Sequence, residues 1–229
     1  MSEDMTAEQV EEQYIAAMGP DLGRLFYRFW NECEELHWKW GEYVTLFGTK
    51  PERIDLLNAA AGSFFVLVQD SLWKDILLHI ARLTDPPKSA GKDNLTLQRL
   101  PPIVDETIRA CVEKLLQTFL AKCELARDWR NRRIAHRDLH LAQKDGAKPL
   151  KTASRQEVRE ALDSIAALLN LVQSHYCRSS TTRYGFIRPP GNAEKLLYVL
   201  RDGLEADARR RERLKSGNRE PEDVKRPPV

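Results

Sequence analysis

Residues 51–85 read PERIDLLNAAAGSFFVLVQDSLWKDILLHIARLTD. Ile54, Leu57, Ala61, Phe64, Val68, Leu72, Ile76, Ile80 and Leu83 recur in steps of three and four, which puts them on one face of a helix. Pro51 suits a first helical position, where its missing N–H would have no partner anyway. Asp85-Pro86-Pro87 then stops the pattern. A long helix with one apolar face needs other helices to cover it.

Those helices are written on both sides. Upstream, Leu22, Leu25, Phe26, Phe29, Cys33, Leu36, Trp40, Val44 and Phe47 form a second stripe, after a short acidic helix at 6–18 and a break at Gly19-Pro20. Downstream, DPPKSAGKDN (85–94) reads as a loop on composition, and NLTLQRL (94–100) as a cap with one helical turn. Ile108, Val112, Leu115, Phe119, Cys123 and Ala126 carry a third helix, expected to run over 104–136 through RNRRIAH. Ser154 and Glu157 form a capping-box pattern that opens a fourth at 155–176, and a charged helix follows at 193–214. No stretch alternates with the two-residue period of a strand. The expectation is an all-α protein, an antiparallel four-helix bundle with helical extensions. Its parts would be an N-terminal extension (1–19), the bundle (20–177), a connector with a charged helix (178–215) and a disordered tail (216–229).

The chain has 229 residues, with 36 Lys and Arg against 34 Asp and Glu, so its net charge of +2 gives no long-range pull towards nucleic acid or membrane. The longest nearly apolar run, Ala59 to Val68, has ten residues, about half of what spans a bilayer. No membrane partner is expected. The acidic start, MSEDMTAEQVEEQY, lacks a signal-peptide pattern, and Cys33, Cys111, Cys123 and Cys177 show no paired spacing. Buried free thiols in a reducing cytoplasm are the expectation, without a zinc cluster.

The densest charge lies in ARDWRNRRIAHRD (126–138), where residues 127–137 carry five arginines and one aspartate. On a regular α-helix Arg132 lies about 40° from His136, Arg133 about 60°, Arg130 about 120° and Trp129 about 20°. Histidine exchanges protons near neutrality, and an arginine fork matches phosphate oxygens. Together they supply what metal-free RNA transesterification requires: a base for the 2′-hydroxyl and a cation for the phosphorane. The same residues also read as a solvated helix face, with arginines paired to Glu124, Asp128 and Asp138 and His136 capping the helix. With 23 arginines in the chain, chance supplies about 1.5 Arg–His pairs at this spacing. His136 and His140 have a zinc-compatible spacing but no third ligand nearby, so no metal is expected. Trp30, Trp38, Trp40 and Trp73 read as core, whereas Trp129 suits either packing or stacking on a base. Arg209, Arg210, Arg211, Arg213 and Lys215 suit a solvated helix end or an RNA backbone, and Tyr184 to Gly191 a lid or a connector. No partner group singles out His37, His79 or His175.

WRNRRIAHRD, with Arg130, Asn131, four intervening residues, His136 and Asp138, resembles the RNxxxxH signature of the HEPN superfamily. DSLWKDILLHIARLTD (70–85), the glycine-containing loop and NLTLQRL resemble its AbiU-type branch, associated with abortive infection of phage. The resemblance covers about residues 20–175. It implies a homodimer whose signature helices face each other across a composite cleft that cuts RNA without metal or cofactor. Carried over, Arg130 and His136 would be the catalytic pair and Asn131 would orient them or touch substrate. Arg132, Arg133, Arg137, Asp138 and Trp129 would contact RNA. An antitoxin or defence protein is a further partner the resemblance suggests. Some HEPN proteins are inactive, so the alternative is a non-catalytic module that binds a partner protein or a nucleotide.

Overall fold

A computed structural model describes residues 5–48, 50–135, 139, 143, 150–177, 184, 190–218 and 220–224. The elements are α1 (Ala7–Met18), α2 (Pro20–Phe47), α3 (Pro51–Arg82), a ribbon of β1 (Lys88–Ser89) and β2 (Lys92–Asp93), and a 3₁₀ turn (Leu97–Arg99). Then come α4 (Glu106–Lys122), α5 (Glu124–Trp129), a π-helical turn (Arg130–Ile134), α6 (Arg155–Cys177), α7 (Ala193–Ser216) and the short α8 (Pro221–Val224). The fold is an all-α helical bundle, as the periodicity predicts. Among the described residues, no helix is long and apolar enough to cross a membrane.

Local chemistry sets the helix ends. Thr6 and Gln9 close a capping box on α1, Gly19 ends it at φ 82°, and Pro20 opens α2. Gly23 is required by close approach, since a Cβ there would lie 2.5 Å from Ile15 Cα. The Ser154–Glu157 box forms as read: Glu157 N donates to Ser154 Oγ (3.1 Å) and Ser154 N to Glu157 Oε2 (3.0 Å).

The described residues of Met1–Trp40 and Trp73–Ile187 form one compact unit, and those of Gly41–Leu72 and Arg188–Val229 a second. In the first, α2 and α3 run antiparallel: Glu32 meets His79 (2.7 Å), Lys39 meets Asp75 (2.7 Å) and Trp40 lies against Trp73. The contact with buried His79 is the main reason the Glu32 carboxyl is held below the usual carboxylate range. His79 therefore has the partner that its sequence context did not reveal. α4 and α6 are also antiparallel, tied by Lys122–Glu160 at one end and by Asp105 N donating to Tyr176 Oη (2.6 Å) at the other. Phe26, Phe29, Leu36, Ile76, Ile80 and Phe119 are fully buried in this unit.

In the second unit, Glu42 accepts from Ala193 N (2.5 Å) and Asn192 from Lys195 N (3.1 Å), so two side chains cap α7. Asp223 accepts from Arg213 (2.9 Å to Nε) and from Glu220 N (3.0 Å), while its carbonyl takes Arg210 (2.8 Å), which folds α8 back on α7. The arginine cluster is thus paired internally, with Arg209 near Glu205 (3.9 Å) and Arg211 on Asp207.

Four expectations need correction. The third helix is not continuous: it breaks at Cys123 (φ −95°, ψ 3°) without a Gly or Pro to signal it, and both Cys123 and Ala126 stay buried across the break. The apolar face of α3 shifts at Ala61 (φ −164°, ψ 63°), a non-helical residue that buries Phe65 and leaves Phe64 59% exposed. Segment 85–94 is an ordered hairpin whose turn places Ala90 (φ 46°) and Gly91 (φ 77°) in the left-handed region. Cys111 and Trp38 are exposed rather than buried.

Two measurements check this account. Phe119→Ala removes a fully buried ring and should cost about 3–5 kcal/mol in denaturant unfolding; a cost below about 1 kcal/mol would contradict the packing. Asp223 has its pKa pushed down to about 2, chiefly by Arg213. A depressed carboxyl contributes stability that is present above about pH 4 and lost as the carboxyl protonates. The Glu220 and Asp223 amide resonances should therefore stay native-like at pH 3 and move only towards pH 2; movement complete by pH 4 would contradict the pairing.

Candidate active site

The site is built on the end of α3. Leu83 and Thr84 are buried, and the carbonyls that a helix end leaves open are taken by the segment after the hairpin. Leu83 O accepts from Thr96 Oγ1 (2.9 Å) and Leu97 N (3.1 Å). Gln98 Nε2 donates to Thr84 O (2.7 Å) and Asp85 O (3.1 Å). Arg99 braces the hairpin through Pro87 O (2.6 Å), Asn94 O (2.6 Å) and Asp93 (2.7 Å). The backbone at Asp85 is therefore fixed from several sides, and its carboxylate projects from a rigid base.

That carboxylate receives Arg130 Nη1, from 45 residues further along the chain. The two side chains are only 26% and 23% exposed, so water screens the pair less than a surface ion pair. Arg130 Nε donates to Asn131 Oδ1 (3.0 Å), which fixes a second edge of the guanidinium. Arginine has five N–H donors; among the described residues the others on Arg130 meet no partner.

Arg130 also opens the π-helical turn, in which Ala135 N bonds Arg130 O (2.8 Å), five residues back. Such turns are rare and concentrate at functional sites. Here the turn corrects the wheel drawn from the sequence, since side chains step by closer to about 80° than 100° per residue. Arg132 lies 3.5 Å from Asp128, as the solvated-face reading expects. Arg133 lies over the Trp129 ring (5.0 Å), and Trp129 Nε1 donates to Lys151 O (2.9 Å). Trp129 thus ties α5 to the start of α6 and shares a ring face with Arg133. His136, Arg137 and Asp138, and also His140, lie outside the described residues. Asp85 is the neighbour that sequence reading missed; it appeared there only as a helix stop.

A family model for HEPN AbiU2 matches residues 19–196. The chain belongs to that family. No curated protein and no solved structure matches. In this AbiU2 chain, both blocks of the resemblance meet physically: LTD at 83–85 and LTLQ at 95–98 build the base, and the signature arginine docks on it.

Beside the π-turn, a groove of about 480 Å³ carries Lys122, Arg132 and Lys151 against Glu124, Asp128, Glu157 and Glu160. Lys151 first, then the Ser154 N–H, holds the Glu157 carboxyl below its usual range; Lys122 and then Gln156 do the same for Glu160. Each of the groove's three cations pairs with a carboxylate within it, Lys122 with Glu160, Arg132 with Asp128 and Lys151 with Glu157. Among the described residues, no group of three or more His, Cys, Asp or Glu could hold a metal ion.

Trp129→Phe keeps a ring under Arg133 but deletes the donor to Lys151 O. It should cost about 1 kcal/mol and speed hydrogen exchange around 150–154; unchanged exchange there would contradict the tie.

Proposed function

We propose that this AbiU2 chain is a metal-independent endoribonuclease acting as a toxin or phage-defence component. The observation that carries the reading is Arg130: a guanidinium clamped by Asp85 and Asn131 at the head of a π-turn, with its remaining N–H groups open among the described residues. That is how an electrostatic stabiliser is arranged before charge develops. In the reaction His136 takes the proton of a ribose 2′-hydroxyl, and the 2′-oxygen attacks the adjacent phosphorus. Arg130 stabilises the phosphorane with paired N–H bonds. The 5′-oxygen then leaves with the proton that the His136 imidazolium returns, giving a 2′,3′-cyclic phosphate and a 5′-hydroxyl. Asn131 orients Arg130. Arg132, Arg133, Arg137, Asp138 and Trp129 contact the RNA, the last through the stacked surface it shares with Arg133. A second copy completes the cleft through its own signature helix.

One observation favours the other reading, a non-catalytic module binding a partner protein or a nucleotide. Arg132 is spent on Asp128, and the arginines of α7 pair within their own unit. The two readings part at His136. Purified protein should cut RNA in the presence of EDTA, leaving cyclic phosphate ends. His136→Ala should abolish cutting while retaining most of the affinity, because the arginines that neutralise phosphate remain. A requirement for divalent metal, or a folded His136→Ala protein that cuts at the parent rate, would overturn the nuclease reading.

A further inference from the structure

The catalytic proposal explains what Arg130 does, but not why a negative charge is placed against a cation meant for phosphate. A carboxylate beside the anion site lowers its net charge and should weaken RNA binding. Its position is nevertheless secured by an unusual number of bonds. Leu83 O, Thr84 O and Asp85 O are all satisfied by Thr96, Leu97 and Gln98, and Thr84 Oγ1 adds a bond back to Ala81 O (2.6 Å). Thr96 is fully buried and Thr84 nearly so. A carboxylate serving only as a surface counter-ion needs no such base. Asp85 takes one Nη1–H and Asn131 takes Nε–H, so the Nη2 edge is held in one direction. A free arginine would sample several rotamers and pay that entropy in the transition state.

We infer that Asp85 is a positioning residue that orients the open N–H edge of Arg130 towards the phosphate of a bound RNA. The inference rests on the nuclease reading for its catalytic consequence, but the ordering of Arg130 can be measured without turnover. Removing the carboxylate should then separate turnover from affinity. The arginine keeps its charge and loses its aim, while the repulsion between Asp85 and the phosphate disappears.

The test compares the wild type with Asp85→Asn, Asp85→Ala and Asp85→Glu. In ¹⁵N spectra, the Arg130 guanidinium signals, assigned by their loss in Arg130→Lys, should be resolved and slow to exchange in the wild type. In Asp85→Ala they should average and exchange fast. On a cleavable RNA, kcat should fall by about 100-fold in Asp85→Asn, the scale set by a misplaced reacting group. The Kd for the same RNA with a 2′-deoxy cleavage site should stay equal or tighten by about threefold, since a negative charge has gone. Asp85→Glu, which restores the carboxylate one methylene further out, should regain part of the turnover. Three results would overturn the inference: guanidinium signals unchanged in Asp85→Ala, turnover maintained without the carboxylate, or Kd and kcat worsening together with the melting temperature, as a purely structural role predicts. If the wild type cuts no RNA, the nuclease reading fails, and the guanidinium signals and the Kd decide the role of Asp85 on their own.

Discussion

The ion pair between Asp85 and Arg130 joins two parts of the chain that have no local reason to meet. One is the end of a long helix, locked by a hairpin and a 3₁₀ turn. The other is the head of a π-turn, where the helical ladder shifts from four residues to five. The pair is largely covered, so water and salt screen it less than they would a surface pair. Much of the surrounding architecture serves this contact. Thr96 and Gln98 hold the base, and Trp129 anchors the signature segment to the start of α6.

What was legible in the sequence was what local chemistry decides. The capping box at Ser154 and Glu157, the start at Pro51 and the stop at Gly19 depend on residues within a turn of each other. The Arg130-Asn131 dipeptide was visible as a motif, and its internal bond is likewise local. Asp85 was not legible, because a partner 45 residues away leaves no periodic trace. The π-turn was hidden for another reason: one residue of extra ladder changes the apolar spacing too little to detect in RNRRI. Cys123 is an ordinary apolar residue, so the break had no Gly or Pro to mark it, whereas the kink at Ala61 has Gly62-Ser63 directly after it, a signal that the strong apolar period on either side overrode.

The electrostatics follow the same division. Among the described residues, most arginines in and after the signature are neutralised close by: Arg132 on Asp128, Arg211 on Asp207, Arg213 on Asp223. A protein with a net charge of +2 has no general attraction for RNA to spare. On the proposed nuclease reading, specific donors held in place supply what a diffuse basic surface supplies elsewhere, and Arg130, clamped by Asp85 and Asn131, is the one assigned that part. Family membership accounts for the presence of the signature; the bonds from Asp85 and Asn131 account for how its arginine is held.

A double-mutant cycle on single-turnover cleavage, combining Asp85→Asn with Arg130→Lys, tests this account most directly. If the carboxylate acts through the guanidinium, Arg130→Lys leaves it nothing to aim, and the double variant should cut no more slowly than Arg130→Lys alone. Rate losses that multiply, with Asp85→Asn costing as much in the Arg130→Lys background as in the wild type, would show the two residues acting independently and would contradict the account.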